Sequence, residues 1–335
     1  MTIDSQKDTI TAIGTNGFVS AADVRTLRQQ IFADGLVSRD EIGALLALAE
    51  RAPDGDPEWA DYFGEAAGDY YLREEIPHDY ITEREFTELK ALVTQFGPVV
   101  TPLVLSMLVK LMDDATATPP GMTDFVCDQI KAQLIARAEK QTNGDVAVTA
   151  QDAALIRKFL FAMGGDGNIA VTQKEAMLLF DINDMTISKN NDPAWSDLFI
   201  KAISNHLMAH IGYTAPSREE ALAQYQWVSD HSVSVGGFFD QMILGGLSAV
   251  RELYARKDTD SSEKKYESIY DEVLDTRERL ARESEAITGN EADWLAERIG
   301  RDGVLDDNER ALLAYMAELK EELPVKLQAL LDRAA

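Results

Sequence analysis

The sequence predicts an all-α protein built from tandem duplicated helical-hairpin domains, and three observations predict it. Helix-start signals recur along the chain. Apolar residues behind them fall at helical spacing, and alternation of apolar and polar residues is nowhere sustained, so no strand is expected. The start signal is Ser or Thr, an acid three residues on, and an apolar residue four further. It occurs as Ser20/Asp23/Leu27, Thr82/Glu85/Leu89, Thr149/Asp152/Ile156 and Thr288/Glu291/Leu295. In such a pattern the hydroxyl accepts an N–H of the first turn and the acid returns to the cap's own N–H. The acid also suits the positive end of the helix.

A second helix start follows each of these. Its caps are Ser38 with Glu41, Thr172 with Glu175, and Asp306 with Glu309; after Ile81 it is Thr101-Pro102, with proline at the first helical position. Each unit is therefore a helix, a tight turn and a helix. In the Ile81 unit the second arm is the run "VVTPLVLSMLVKLM", which reads as a buried helix too short to cross a bilayer. Val19 to Phe63 aligns with Val148 to Phe199, down to Asp56-Pro57-x-Trp59 against Asp192-Pro193-x-Trp195. There Asp is expected as the helix cap, Pro in the first turn and Trp as a packing anchor. The simplest account is a duplication, each copy holding two hairpins. The first domain is 1–143 and the second 144–335, with an inserted helical region at about 211–286 in the second. The boundary lies at the turn signal Thr142-Asn143-Gly144-Asp145.

Composition narrows the function classes. The 335 residues are 45% hydrophobic, enough for two globular domains. The net charge of −26 repels phosphate backbones and anionic membranes, so nucleic acid is not an expected partner. Such a surface attracts cations or a basic partner, but high negative charge is also a common solubility device, and from composition that is the preferred reading. Cys127 is the single cysteine, which rules out an intramolecular disulfide or a thiolate zinc cluster and reads as a small core residue. The N-terminal stretch "MTIDSQKDTI" carries no signal-peptide pattern and no transmembrane segment is evident, so a cytoplasmic location is expected.

The hairpin turns carry the chemistry that most needs a decision. With Gly35 or Gly303 at the sixth position of a calcium loop, Glu41 or Glu309 falls at the twelfth. The early ligand positions are then held by Gln30 and Phe32, or by Arg298 and Gly300, so the calcium loops are incomplete and the hairpins are only EF-hand-like. The segments "ADGLVSRDEIGALL", "RDGVLDDNERALL" and "GDGNIAVTQKEAMLL" resemble instead the Asp-Gly-x-apolar-Ser-x-x-Glu hairpin of TerB-like proteins, all-helical domains linked to tellurite resistance and stress response. That resemblance implies a non-enzymatic protein acting through protein–protein contacts, with a divalent cation, calcium or magnesium, at the acidic turns. The candidate ligands it implies are Asp34 with Glu41, Asp166 with Glu175, and Asp302 with Glu309. The alternative is that Asp and Gly make the turn while Glu caps the helix.

His206 and His210, in "SNHLMAH", sit one helical turn apart and form a second candidate metal pair. The aligned positions of the other copy are Tyr70 and Glu74, so the pair is private to one copy. No nucleophile elbow, phosphate loop or dinucleotide fingerprint is present, and no catalytic residue is assigned. The competing functional expectation is an enzyme, such as a metal-dependent hydrolase, with its site in the cleft between the two repeats.

Overall fold

The computed structural model of the protein describes residues 10, 12–31, 36–76, 78–141, 146–165, 170–187, 190–209, 289–299, 301, 305–319 and 325–334. Of these, 72% are helical, and the protein is all-α as its start signals predict. The inserted region at about 211–286 lies outside the described residues. The chain forms two compact units, Met1–Asn168 and Ile169–Ala335.

The first unit contains α1 (Ala21–Ile31), α2 (Arg39–Arg51), α3 (Pro57–Gly68), α4 (Glu83–Thr94), α5 (Pro102–Asp114), α6 (Pro120–Glu139) and α7 (Ala150–Leu160). Helix α3 runs on into one π-helical turn, Asp69–Glu74. Its centre is the pair α3 and α5, the most extensively packed helices of the unit. The sequence dictates this: α3 presents Trp59, Tyr62, Phe63, Ala66 and Ala67 on its buried side, and α5 is the apolar run anticipated above, with eight buried residues. Helices α1 and α2 cover α3, and α6 and α7 cover α5. So α7 packs in the first unit, although the repeat register assigns its sequence to the second copy.

The second unit contains α8 (Gln173–Met185), α9 (Pro193–Ala209), α10 (Gly289–Arg298), α11 (Asp307–Leu319) and α12 (Val325–Ala334). Here α9 and α11 make the main contact, α8 packs on α9, and α12 packs on α10 and α11. Trp195 of α9 is fully buried, as Trp59 is in α3. An aromatic chain runs through this core: Trp195 meets Phe199, Phe199 meets Phe180 edge-on at 5.1 Å, and Phe180 meets Trp294 edge-on at 5.9 Å.

One element departs from the sequence expectation. Phe18–Val19 and Asp54–Gly55 form a two-residue parallel pair, with Phe18 opposite Asp54 and Val19 opposite Gly55. Two residues are too few to produce an alternating pattern, so this clasp leaves no periodic signal. It ties the entry of α1 to the entry of α3, and Asp56 N–H donates to Val19 O at 3.0 Å. Gly55 is required there, because a Cβ would stand 2.5 Å from Val19 O and 2.8 Å from Trp59 Cδ1.

Gly43, in contrast, lies in α2 with nothing near the place a Cβ would take. Gly43→Ala is expected to raise stability by about 0.5–1 kcal/mol, since alanine restricts the unfolded chain and favours helix. Gly55→Ala is expected to lower it by about 1–3 kcal/mol through overpacking. Urea unfolding followed by far-ultraviolet circular dichroism measures both signs; a loss at Gly43 or a gain at Gly55 contradicts the packing described.

Candidate functional site

The acids marked by the hairpin pattern are all helix-cap acids where the structure describes them. Glu41 Oε2 accepts from Ser38 N at 2.8 Å and from Ser38 Oγ at 2.7 Å. Glu175 Oε2 accepts from Thr172 N at 2.8 Å and Thr172 Oγ1 at 2.9 Å. Glu309 Oε2 accepts from Asp306 N at 3.1 Å, and Asp306 Oδ1 takes the return bond from Glu309 N at 2.9 Å. The same reciprocal arrangement holds at Ser20/Asp23, Thr82/Glu85 and Thr149/Asp152. Thr101 caps α5 by accepting from Val104 N at 3.3 Å. Glu175 and Glu309 are buried, whereas Glu41 is half-exposed.

Asp34, Asp166, Asp302 and His210 lie outside the described residues, as does the Thr288 cap. Among the described residues, no group of three or more His, Cys, Asp or Glu is arranged to hold a metal ion. Cys127 is half-buried.

The two Asp-Pro-x-Trp starts differ. Asp192 Oδ1 accepts from Ala194 N at 2.9 Å and so caps its own helix. Asp56 makes no such bond; its Oδ2 accepts from Ala21 N at 2.7 Å and caps α1 instead. The expectation that Asp56 caps its own helix is corrected by this contact. The clasp brings the α1 entry alongside Asp56, and an unsatisfied N–H there draws the carboxylate away.

His206 is buried in α9, with Nδ1 2.8 Å from Val171 O and its ring edge-on to Trp294 at 5.1 Å. A carbonyl only accepts, so Nδ1 donates its proton in this contact. The neighbouring Asn205 accepts from Val171 N at 2.8 Å through Oδ1. Together they hold both sides of the residue that precedes the α8 cap. The first unit uses the same device before α5. Gln129 Oε1 accepts from Val100 N at 2.9 Å, and Gln133 Nε2 donates to Val100 O at 3.0 Å. Val100 and Val171 are both buried and both precede a capping threonine.

Sequence reasoning did not single out Asn205, Gln129 or Gln133. The available signal was a long polar amide within an otherwise apolar helix face. It also missed a polar link between α8 and α11. Asn183 Nδ2 donates to Asp306 Oδ2 at 2.6 Å, and Asn308 Nδ2 donates to Asn183 Oδ1 at 2.7 Å. Asp306 thus caps α11 with one oxygen and holds α8 with the other.

A comparable double use occurs at the α7 start. Arg137 of α6 donates to both oxygens of Asp152, at 3.1 and 2.7 Å, and to Ala147 O at 2.9 Å. Burial alone would raise the Asp152 carboxyl, but hydrogen bonds from Arg137 and Thr149 outweigh it and hold its pKa below the ordinary aspartate value. Taken together, the geometry is that of an all-helical protein whose motif acids hold helix starts and join neighbouring helices. No protein-family model, curated protein or solved structure matches the chain.

Two outcomes follow from the capping geometry. Glu175→Ala is expected to cost about 1–3 kcal/mol, since it removes the acceptor for two part-buried donors of Thr172 at the α8 start. Glu175→Gln should recover most of that loss because an amide oxygen can also complete the box. Thermal unfolding of the two variants decides it: equal losses would mean that the charge matters rather than the cap. Arg137→Ala is expected to lower stability at neutral pH by about 1–3 kcal/mol. Asp152 has a lowered folded pKa, so the stability it gains from Arg137 is present above the unfolded aspartate value of about 3.9 and is lost as pH falls through the folded value. The gap between wild type and variant should therefore be constant from about pH 6 to 7 and close as pH falls from about 3.9 through the lower folded value. A gap that persists in strong acid would assign the loss to packing.

Proposed function

We propose that this chain is a non-enzymatic, TerB-like helical protein in tandem form that works in the cytoplasm through contact with a basic protein partner. One observation carries the reading. Glu41, Glu175 and Glu309, the acids that the hairpin resemblance marks, are turned onto their own helix starts. Capping accounts for these three without a cation. The outward negative charge rests on other acids and is open to a partner of opposite sign. A link to stress response comes from the resemblance of the hairpins alone.

Size fractionation of native extracts tests this. At roughly 0.1 M salt, where charges act over about 10 Å, the protein should elute in a complex heavier than the free chain. At about 1 M salt, where that range shrinks to about 3 Å, it should shift to the free chain. Elution as the free chain under both conditions would overturn the contact reading.

A further inference from the structure

Between the π-helical turn and α4 two apolar side chains are exposed, Tyr80 on a hydrogen-bonded stretch of backbone and Ile76 directly after Glu75, whose N–H donates to Tyr70 O at 3.2 Å. Ile76 is 78% exposed, the highest of any large apolar residue of the first unit that is described, and Tyr80 is 42% exposed. Exposed loops usually move, but the stretch Asp79–Ile81 is pinned from two sides. Asp79 N–H donates to Leu72 O at 2.8 Å, and Thr116 N–H donates to Asp79 O at 2.7 Å. Ile81 N–H donates to Ala117 O at 3.1 Å, with Tyr80 bridged in parallel to Ala117.

Asp79 sits at φ 64°, the single described non-glycine residue in the left-handed region. Such a conformation persists where surrounding bonds over-determine it. A backbone already fixed loses little entropy when a partner binds.

The local charge selects the partner. Glu74, Asp79 and Glu83 are exposed and form no ion pair with another described residue. The adjacent cations are taken: Arg73 pairs with Asp69, and Arg84 pairs with Glu75 and Glu88. Three uncompensated carboxylates therefore accompany Ile76 and Tyr80 along the chain. An amphipathic basic helix has the matching chemistry, an apolar stripe flanked by Lys or Arg. We propose that Ile76 and Tyr80 form a docking surface for an amphipathic basic helix of a partner protein, with its cations facing Glu74, Asp79 and Glu83. This rests on the protein-contact reading above and names the surface and the partner's chemistry.

The test uses the full chain and a synthetic Leu/Lys amphipathic helical peptide of roughly eighteen residues. Fluorescence anisotropy should show binding to the wild type, and binding at least about tenfold weaker in Ile76→Ser/Tyr80→Ser, from the apolar area lost. Phe96→Ser and Met177→Ser, exposed apolar controls elsewhere, should bind as wild type does. A Leu/Glu peptide should not bind. Since Ile76 and Tyr80 are exposed, an unchanged thermal midpoint and circular dichroism spectrum will show that the double variant folds. The proposal is overturned if the double variant binds like wild type, if the controls lose as much, or if the peptide does not bind at all. Any of those results leaves the contact reading to be judged by the native complexes, which do not depend on this loop.

Discussion

The reciprocal bond between a capping side chain and the acid three residues on fixes where the hairpin helices begin, and the packing depends on it. At Ser38, Thr82, Thr149 and Thr172 the cap residue is extended while its oxygen takes the N–H of the acid's residue. The acid then returns to the cap's own N–H, so two donors without helical partners are met at once. An extended cap also turns the preceding residue back toward the helix. That residue is apolar and buried at Val19, Val37, Ile81, Val148 and Val171, as is the fourth residue of each following helix: Val24, Ile42, Phe86, Ala153 and Ala176. These are the two positions of a hydrophobic staple. A polar device of a few atoms thereby places an apolar pair in the core at five separate helix starts.

Burying the residue before the cap creates a demand of its own. Its N–H and C=O have left water and must find partners. At Val100 and Val171 these are supplied by side chains from a helix about thirty residues downstream, Gln129 with Gln133 and Asn205 with His206. At Val19 and Ile81 the backbone answers instead, through Asp56 N–H and Ala117 O. The polar residues inside α6 and α9 are thus consequences of the caps upstream.

This separates what the sequence made legible from what it hid. The caps at Ser20, Ser38, Thr82, Thr101, Thr149, Thr172 and Asp306 could be read because donor, acceptor and spacing lie within four residues of chain. Trp59 and Trp195 could be read as anchors because an apolar stripe follows each in the same helix. Asp56 was misread because the N–H it takes, that of Ala21, lies 35 residues away. The role of His206 was hidden for the same reason: Val171 O is 35 residues away. Local chemistry is printed in the sequence, whereas the identity of a distant partner follows only from packing.

The same distinction bears on why a cap glutamate stands three residues after Ser38, Thr172 and Asp306 but not after Thr101. In α5 proline fills the first position with a residue that has no N–H to satisfy, so Thr101 alone suffices. Where the start carries a full complement of N–H groups, a second acceptor is worth most in the interior. Glu175 and Glu309 are buried, and withdrawing either carboxylate from its cap would leave a buried charge without the bonds that offset its burial. A cation drawing on these two would have to compete with bonds on which the helix start depends. Glu41 is half-exposed and under weaker constraint, since water could replace what the cap loses. Identical motifs thus differ in chemical freedom, and burial, which the motif does not encode, sets the difference.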